Sequence, residues 1–523
     1  MGNGATVQDW YDVIFIVLMN QIKAGVILNY VVIGLNTLVG LLYTPYMLRM
    51  MGQSEYGLYS LVASVIAYMT IMDFGFGNAI IRYTAKFRAE GKVEEQYSMF
   101  GMFAVIYSLI GLLVLVGGAV LCFNIENLFG DTMTIEEMSR AKIIMAIMTF
   151  NLAISFPMGI YGSIITAYED FIFQKSLNII RIILNTVVMI CLLHFGYKAV
   201  AMVVVQTVFN VLTFVANYIY CKRKISVRFT FGKFQWGFLR EIAIYSFWIF
   251  LNAIMDRIYW STGPFVLGVV SGTAAVAIFA LAISFEHMYM SFSTAIMGVF
   301  LPRVSGMIAR QASDREVSDL FIRTGRIQYA VIVFALSLFI VFGRQFITLW
   351  AGDGYSEVYI ITLMFFVALM VPLAQNMGIT ILQARNQMEF RSLLYIVIAT
   401  VSIIGQIILG QRFGAVGCAL SVSLALLIGQ GIVMNIYYKV KQRIDIVSFW
   451  KEVGKMSIVP ILMVLLGLWL LSRYEILGIY ELILGVLIFA ILYLPAFWCC
   501  GLSTVERDMI KTIFVRRYKR HSC

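Results

Sequence analysis

Runs of about twenty apolar residues, parted by short charged or Gly/Asn-bearing breaks, constrain this chain more than any other feature. A bilayer core of about 30 Å takes roughly 20 residues of α-helix to cross, and within it each backbone polar group must find its partner in the same helix. Fourteen such runs occur, near residues 24–48, 57–81, 100–123, 141–167, 176–195, 198–221, 241–264, 273–300, 327–348, 357–383, 391–410, 415–438, 455–472 and 479–499. With 61% hydrophobic and only 13% charged residues, and a mean hydropathy of +0.88, a water-soluble globule is excluded. The expectation is an all-α polytopic membrane protein with fourteen transmembrane helices.

The formal net charge of +11 would suggest nucleic acid in a soluble protein, but here it marks topology. With the N-terminus in the cytoplasm, thirty of the 39 Lys and Arg fall on the cytoplasmic side, seven on the other, and two, Arg181 and Arg257, within spans. The positive-inside rule then places both termini in the cytoplasm of a cell-membrane protein. The clusters at Lys222-Arg223-Lys224 and Arg516-Arg517 are expected to meet anionic headgroups, not nucleic acid. Residues 1–23 carry Asp9 and Asp12 and no basic n-region, which reads as a cytoplasmic lead-in, not a signal peptide. The seven cysteines show no metal-ligand spacing and are expected to be reduced packing residues.

Six spans on each side of a basic 222–240 linker suggest duplication. Self-similarity at an offset of 216 residues supports it: Leu35-Asn36, Tyr43 and Gly52 recur as Leu251-Asn252, Tyr259 and Gly268. Gly162, Lys175-Ser176-Leu177 and Ile180 recur as Gly378, Arg391-Ser392-Leu393 and Ile396. An even number of spans per half makes the repeat parallel, with an N-lobe at 24–221 and a C-lobe at 241–438 related by a pseudo-twofold axis. Two further spans at 439–499 and a basic tail at 500–523 complete the chain. Two bundles able to rock about a central cavity form a transporter architecture.

The stretch Thr44-Pro45-Tyr46 through Gly52-Gln53-Ser54-Glu55-Tyr56-Gly57, with Asp73-Phe74-Gly75-Phe76-Gly77 and Arg82, resembles the opening of the polysaccharide and O-antigen flippases. These belong to the multidrug, oligosaccharidyl-lipid and polysaccharide exporter superfamily. The second half is similar in the Asp256 segment, Gly268 and Leu301-Pro302-Arg303. The resemblance implies movement of an undecaprenyl-pyrophosphate-linked oligosaccharide to the outer leaflet by alternating access, alongside polysaccharide polymerase machinery. It also implies cavity arginines on spans one, two and eight and a lipid-tail groove near the last two helices. Here the first two arginines are Arg49 and Arg82, at span ends, and span eight has none before Arg303.

No Walker A pattern, metal cluster or nucleophile constellation occurs, so neither an enzyme nor a cofactor is expected, beyond a coupling proton or cation. The chemistry must come from charges inside the membrane, each costing at least about 2.5 kcal/mol at a helix centre. These are Asp73, Arg181, Asp256, Arg257 and Glu286. Residues three or four apart share a helix face, which groups Asn178, Arg181 and Asn185 on span five and Asn252, Asp256 and Tyr259 on span seven. On span eight, Glu286, Tyr289 and Ser293 form one stripe, and Ser284, His287, Ser291 and Thr294 another. Arg181, Asn185, Asn252 and Tyr259 are the expected substrate contacts, joined through the resemblance by Arg49 and Arg82. Glu286, Asp256 and Asp73 are the expected coupling carboxylates, Asp73 pairing with Arg181 in one state; Arg257 is expected to anchor at the outer surface. The alternatives are a drug/cation antiporter of the same superfamily, which needs an acidic cavity, and a membrane glycosyltransferase or polymerase, which needs a large external loop.

Overall fold

The computed structural model describes residues 7–231, 236–297, 304, 306–308, 310–385, 387–474, 476, 478–503 and 506–508. The side chains of 7–23, 26, 295–297 and most of 236–253, Asn252 among them, lie outside that description, as do Leu301-Pro302-Arg303 and the basic tail from 509 on. Every regular element among the described residues is helical. Helix α1, Val7–Met51, runs from the lead-in into the first span without a break, so the boundary expected at residue 23 is absent from the backbone. Gly52, at φ 83°, ends it, because a left-handed residue cannot continue a right-handed helix.

The second span is two helices, α2 (Gln53–Met69) and α3 (Phe76–Ala89), interrupted by a 3-10 turn at Thr70–Asp73 and by Phe74 and Gly75 at φ 51° and 74°. There follow α4 (Val93–Phe123), α5 (Ile135–Ala167), α6 (Phe171–His194), α7 (Ala199–Tyr220), α8 (Trp236–Val270) and α9 (Thr273–Met297). The rest are α10 (Asp314–Ala351), α11 (Glu357–Ala374), α12 (Glu389–Leu426), α13 (Ile446–Leu471) and α14 (Ile479–Cys500). A π-turn at Leu427–Val433 carries α12 on into Met434–Val440. Twelve described stretches are long and apolar enough to cross a bilayer. One of them, the 52-residue Glu389–Val440, folds at Gly414 (φ 58°, ψ −136°) into two legs, and α8 adds one more, which recovers the expected fourteen. Thr134 with Glu137 and Ser313 with Glu316 form reciprocal capping boxes that start α5 and α10 where the orphan N–H groups need acceptors.

By internal contacts the chain divides into residues 1–277 and 278–523. In the first unit, Phe100, Phe103, Tyr107, Phe156, Ile160 and Ile164 make a core between α3, α4 and α5. Helix α8, expected to open the second lobe, packs within this unit along α2. Glycine permits the approach: a Cβ on Gly57 would strike the backbone of Thr273, and one on Gly268 would lie 2.5 Å from Leu61. The start of the basic linker also belongs here. After the π-turn Cys221–Ile225 and the left-handed Ser226 (φ 57°), residues 227–231 form no helix; Thr230 donates its N–H to the Tyr97 carbonyl at 3.1 Å, and Ile225, Val227 and Phe229 turn against the core while Lys224, Ser226 and Arg228 face out. Inward and exposed residues alternate along this single strap.

In the second unit α10 packs against α11, α13 and α14. Arg326 on α10 is buried and forked onto Glu506 (Nε–Oε1 2.6 Å, Nη2–Oε2 2.9 Å), with Nη1 on Glu452 at 2.6 Å. Ser503 donates its N–H to Glu506 at 2.7 Å, so the segment after α14 is pinned to α10 and α13. Burial pushes the Glu506 carboxyl up, but the Arg326 guanidinium and the Ser503 amide outweigh it and hold the group below its ordinary value. Between α13 and α14 an apolar cavity of about 430 Å³ is lined by Phe342, Met463, Leu466, Leu470, Gly485 and Ile488. Cys221 and Cys418 are buried as expected of packing residues, whereas Cys191, Cys499 and Cys500 are exposed.

One of the 216-residue matches is displaced in the structure. Gly52, which precedes α2, matches Gly272, which precedes α9, since both are left-handed, at φ 83° and 81°. The offset there is four residues longer than the 216 read from side-chain identities, and Gly268 is simply helical. One helical turn keeps the same face toward its neighbours, so an identity match between apolar helices tolerates such a slip.

Candidate functional site

The first unit holds a polar seam inside its bundle. On α6, Gln174, Asn178, Arg181 and Asn185 follow one another at helical spacing; on α7, Gln206, Asn210, Thr213 and Asn217 do the same. The two stripes meet at Arg181, whose Nη1 donates to Asn210 Oδ1 at 2.9 Å and Nη2 to Asn178 Oδ1 at 3.0 Å. Asn210 in turn donates to Asn151 Oδ1 on α5 at 3.4 Å, and Tyr59 on α2 to Gln206 Oε1 at 3.3 Å. Lys175 reaches Asn29 on α1 at 2.8 Å. Among the described residues no carboxylate lies within ion-pair distance of Arg181, and the buried Asn185 Oδ1 has no hydrogen-bond partner. The seam thus sets the Arg181 guanidinium, with the Lys175 ammonium on Asn29, among neutral amides and the Tyr59 hydroxyl. The α6 half was legible in the sequence; the α7 stripe was missed, though its 4-3-4 spacing carried the signal.

Asp73 takes another role. Its Oδ1 accepts from the Tyr107 hydroxyl at 2.7 Å, and the amides of Gly75 and Gly77 face the same carboxylate. It closes the break in span two, where the left-handed pair leaves the first N–H groups of α3 without helical acceptors. The pairing with Arg181 is not made in this conformation, because each group already has other partners. Arg49 is exposed at the end of α1 and Arg82 midway along α3, its guanidinium 5.8 Å from the Tyr83 ring.

On α8 the expected common face divides: Tyr259 is buried and Asp256 is exposed. Asn252 lies outside the described side chains, and Arg257 is exposed. On α9 the two stripes also part. Glu286, Tyr289 and Ser293 point into the second unit, where Tyr289 stacks on Phe366 of α11 at 4.0 Å and donates to the Ile332 carbonyl at 3.2 Å. Ser293 donates to the Leu373 carbonyl at 3.0 Å. Ser284, His287, Ser291 and Thr294 are exposed, and His287 Nδ1 stands 3.2 Å from Glu286 Oε2.

Residues 22–308, more than half of the chain, match the model of a family described as polysaccharide biosynthesis protein. The chain belongs to this family. It is 18% identical over 399 residues, 75% of its own length and 78% of the relative's, to the uncharacterized membrane protein EpsK of Bacillus subtilis (strain 168). Among solved structures it is similar to the lipid II flippase MurJ in an inward closed conformation, with a TM-score of 0.68 at 17% identity over 92% of this chain and all of that one. An inward-facing multidrug resistance MATE family transporter of the MOP superfamily gives 0.59 at 15% identity, over 77% of this chain and 99% of that one. The fold of this polysaccharide biosynthesis family member is therefore that of the MOP membrane transporters. The half-buried polar seam of its first unit carries cations and amides.

Proposed function

We propose that this protein is a flippase that carries a polyprenyl-pyrophosphate-linked oligosaccharide from the cytoplasmic to the outer leaflet of the cell membrane by alternating access. The observation that carries the reading is Arg181 among Asn178, Asn210 and Asn151. A guanidinium held only by amide carbonyls keeps its positive charge uncompensated, and it can fork onto two phosphate oxygens as a lysine cannot. Asn, Gln and Tyr both donate and accept, which matches sugar hydroxyls. A drug/cation antiporter would want a carboxylate in that place. The apolar cavity between α13 and α14 suits a polyprenyl tail. Catalysis is not part of this reading, and the expected partners are the glycolipid, the surrounding lipids and the enzymes that polymerise the delivered repeat.

Direction requires a drive. Each charge crossing the membrane is worth about 2.3 kcal/mol per 100 mV, so a proton or cation on an intramembrane carboxylate can bias the two-state cycle. Glu286 is the first candidate and Asp256 the second. Native mass spectrometry of gently purified protein tests the substrate: a co-purifying polyprenyl-pyrophosphate glycan supports the reading, and bare protein under lipid-retaining conditions overturns it. Flux in proteoliposomes with and without an imposed potential or pH gradient tests the drive; flux that ignores both refutes coupling.

A further inference from the structure

Glu286 and His287 occupy adjacent positions on α9 but opposite environments. Glu286 is wholly enclosed, at 0% exposure, while the His287 side chain is 59% exposed. The gap between His287 Nδ1 and Glu286 Oε2 is 3.2 Å, within reach of direct proton transfer. The imidazole also has company: Ser284, Ser291 and Thr294 share its open face and form a hydroxyl-bearing stripe along nearly three turns. On the inner side, Ser293 binds the Leu373 carbonyl and accepts from Asn376 at 3.3 Å, so polar groups continue along the buried face.

We propose that His287 is the proton port of Glu286, the route by which that enclosed carboxylate exchanges protons with the open face of α9. Nε2 of the neutral imidazole takes a proton from water, Nδ1–H passes its own to Glu286 Oε2, and the ring is left neutral with the proton on Nε2. One proton has moved from water to carboxylate, and both side chains end uncharged. The described residues of α9, α10 and α11 carry few other titratable groups. On α9 itself the other ionisable group is Tyr289, and α10 presents Tyr329 but no charged residue between Arg326, forked onto Glu506 and Glu452, and Arg344. Helix α11 has only Glu357 and Tyr359, at its beginning.

The inference rests on Glu286 as the coupling carboxylate, yet its test uses neither substrate nor gradient. Full-length protein in lipid nanodiscs is acidified by a rapid pH jump while infrared difference spectra follow the C=O stretch of protonated carboxyls. A band lost in Glu286→Gln identifies the group. In His287→Gln, an exposed change that leaves the core alone, the same band should rise about a hundredfold more slowly, and free imidazole in the buffer should restore its rate. A band that persists in Glu286→Gln, or a rise in His287→Gln within about twofold of wild type, overturns the proposal. If the relay passes while glycolipid flux ignores a pH gradient, the relay stands and the coupling reading alone falls.

Discussion

Arg181 shows how a single residue can be held without being neutralised. Its hydrogen bonds to Asn178 and Asn210 orient the guanidinium, but no carboxylate among the described residues pairs with the charge, which costs at least about 2.5 kcal/mol in a membrane interior. Arg181→Gln should therefore leave the thermal midpoint unchanged or raised while glycolipid flux in proteoliposomes collapses; a variant that loses stability and flux together would make the residue structural. Arg181→Lys should restore charge but little flux, since the fork is gone. Asp73 is the opposite case. Its bond with Tyr107 is part-buried and holds a broken helix, so Asp73→Asn and Tyr107→Phe should each destabilise by about 1–3 kcal/mol and prove coupled in a double-mutant cycle of thermal denaturation. Additive losses would mean that the hydroxyl and the carboxylate act independently.

Among the elements, close approach depends on glycine in some places and not in others. Gly57 on α2 faces the Thr273 backbone, which has no flexible end to move, so Gly57→Ala should cost about 1–3 kcal/mol. Gly34 on α1 has open space where a Cβ would go, and Gly34→Ala should be neutral or stabilising by up to about 1 kcal/mol. Thermal midpoints of the two variants in one detergent decide it, and equal effects would dismiss the packing argument. The helix breaks follow similar logic. Gly52, Gly272 and Gly414 are positive-φ glycines where helices end or fold, while Phe74 is left-handed without glycine's freedom, held beside Gly75 with its ring centroid 4.8 Å from that of Phe250.

For the whole molecule two measurements matter. Positive-inside charge predicts that cysteines placed at Gly130 and Asp353 label from outside, and those at Arg228 and Asp314 only after permeabilisation; labelling at 228 from outside would reverse the direction of transport. Arg228 is chosen because it faces outward from the strap on which Phe229 packs inward. The second is acid stability. Glu506 titrates below its ordinary value of 4.5 when folded, so its contribution is complete above that value and is lost as pH falls through the lower folded one. Glu506→Gln should lower the midpoint near neutrality, where breaking a buried pair costs about 3–5 kcal/mol, and should flatten the acid limb of the pH profile. A wild-type midpoint that does not fall with acid over that window would remove the latch from the ledger of stability.

What the sequence determined by itself follows from rules that act along a helix or across a bilayer. Apolar run length set the number of spans, the Lys and Arg distribution set the expected orientation, and 3.6-residue spacing put Asn178, Arg181 and Asn185 on one face. Tertiary structure decided everything that depends on which faces meet. The α7 stripe acquires meaning only because Asn210 lies opposite Arg181, and Asp73 became a helix-break ligand because Tyr107 reaches it first. Asp256 and Tyr259 share a spacing but not an environment, and the Glu286 stripe faces packed helices while the His287 stripe stays open. Periodicity says which residues lie together on a helix. Only packing says what that face is turned toward, because burial is a property of the neighbour as much as of the residue.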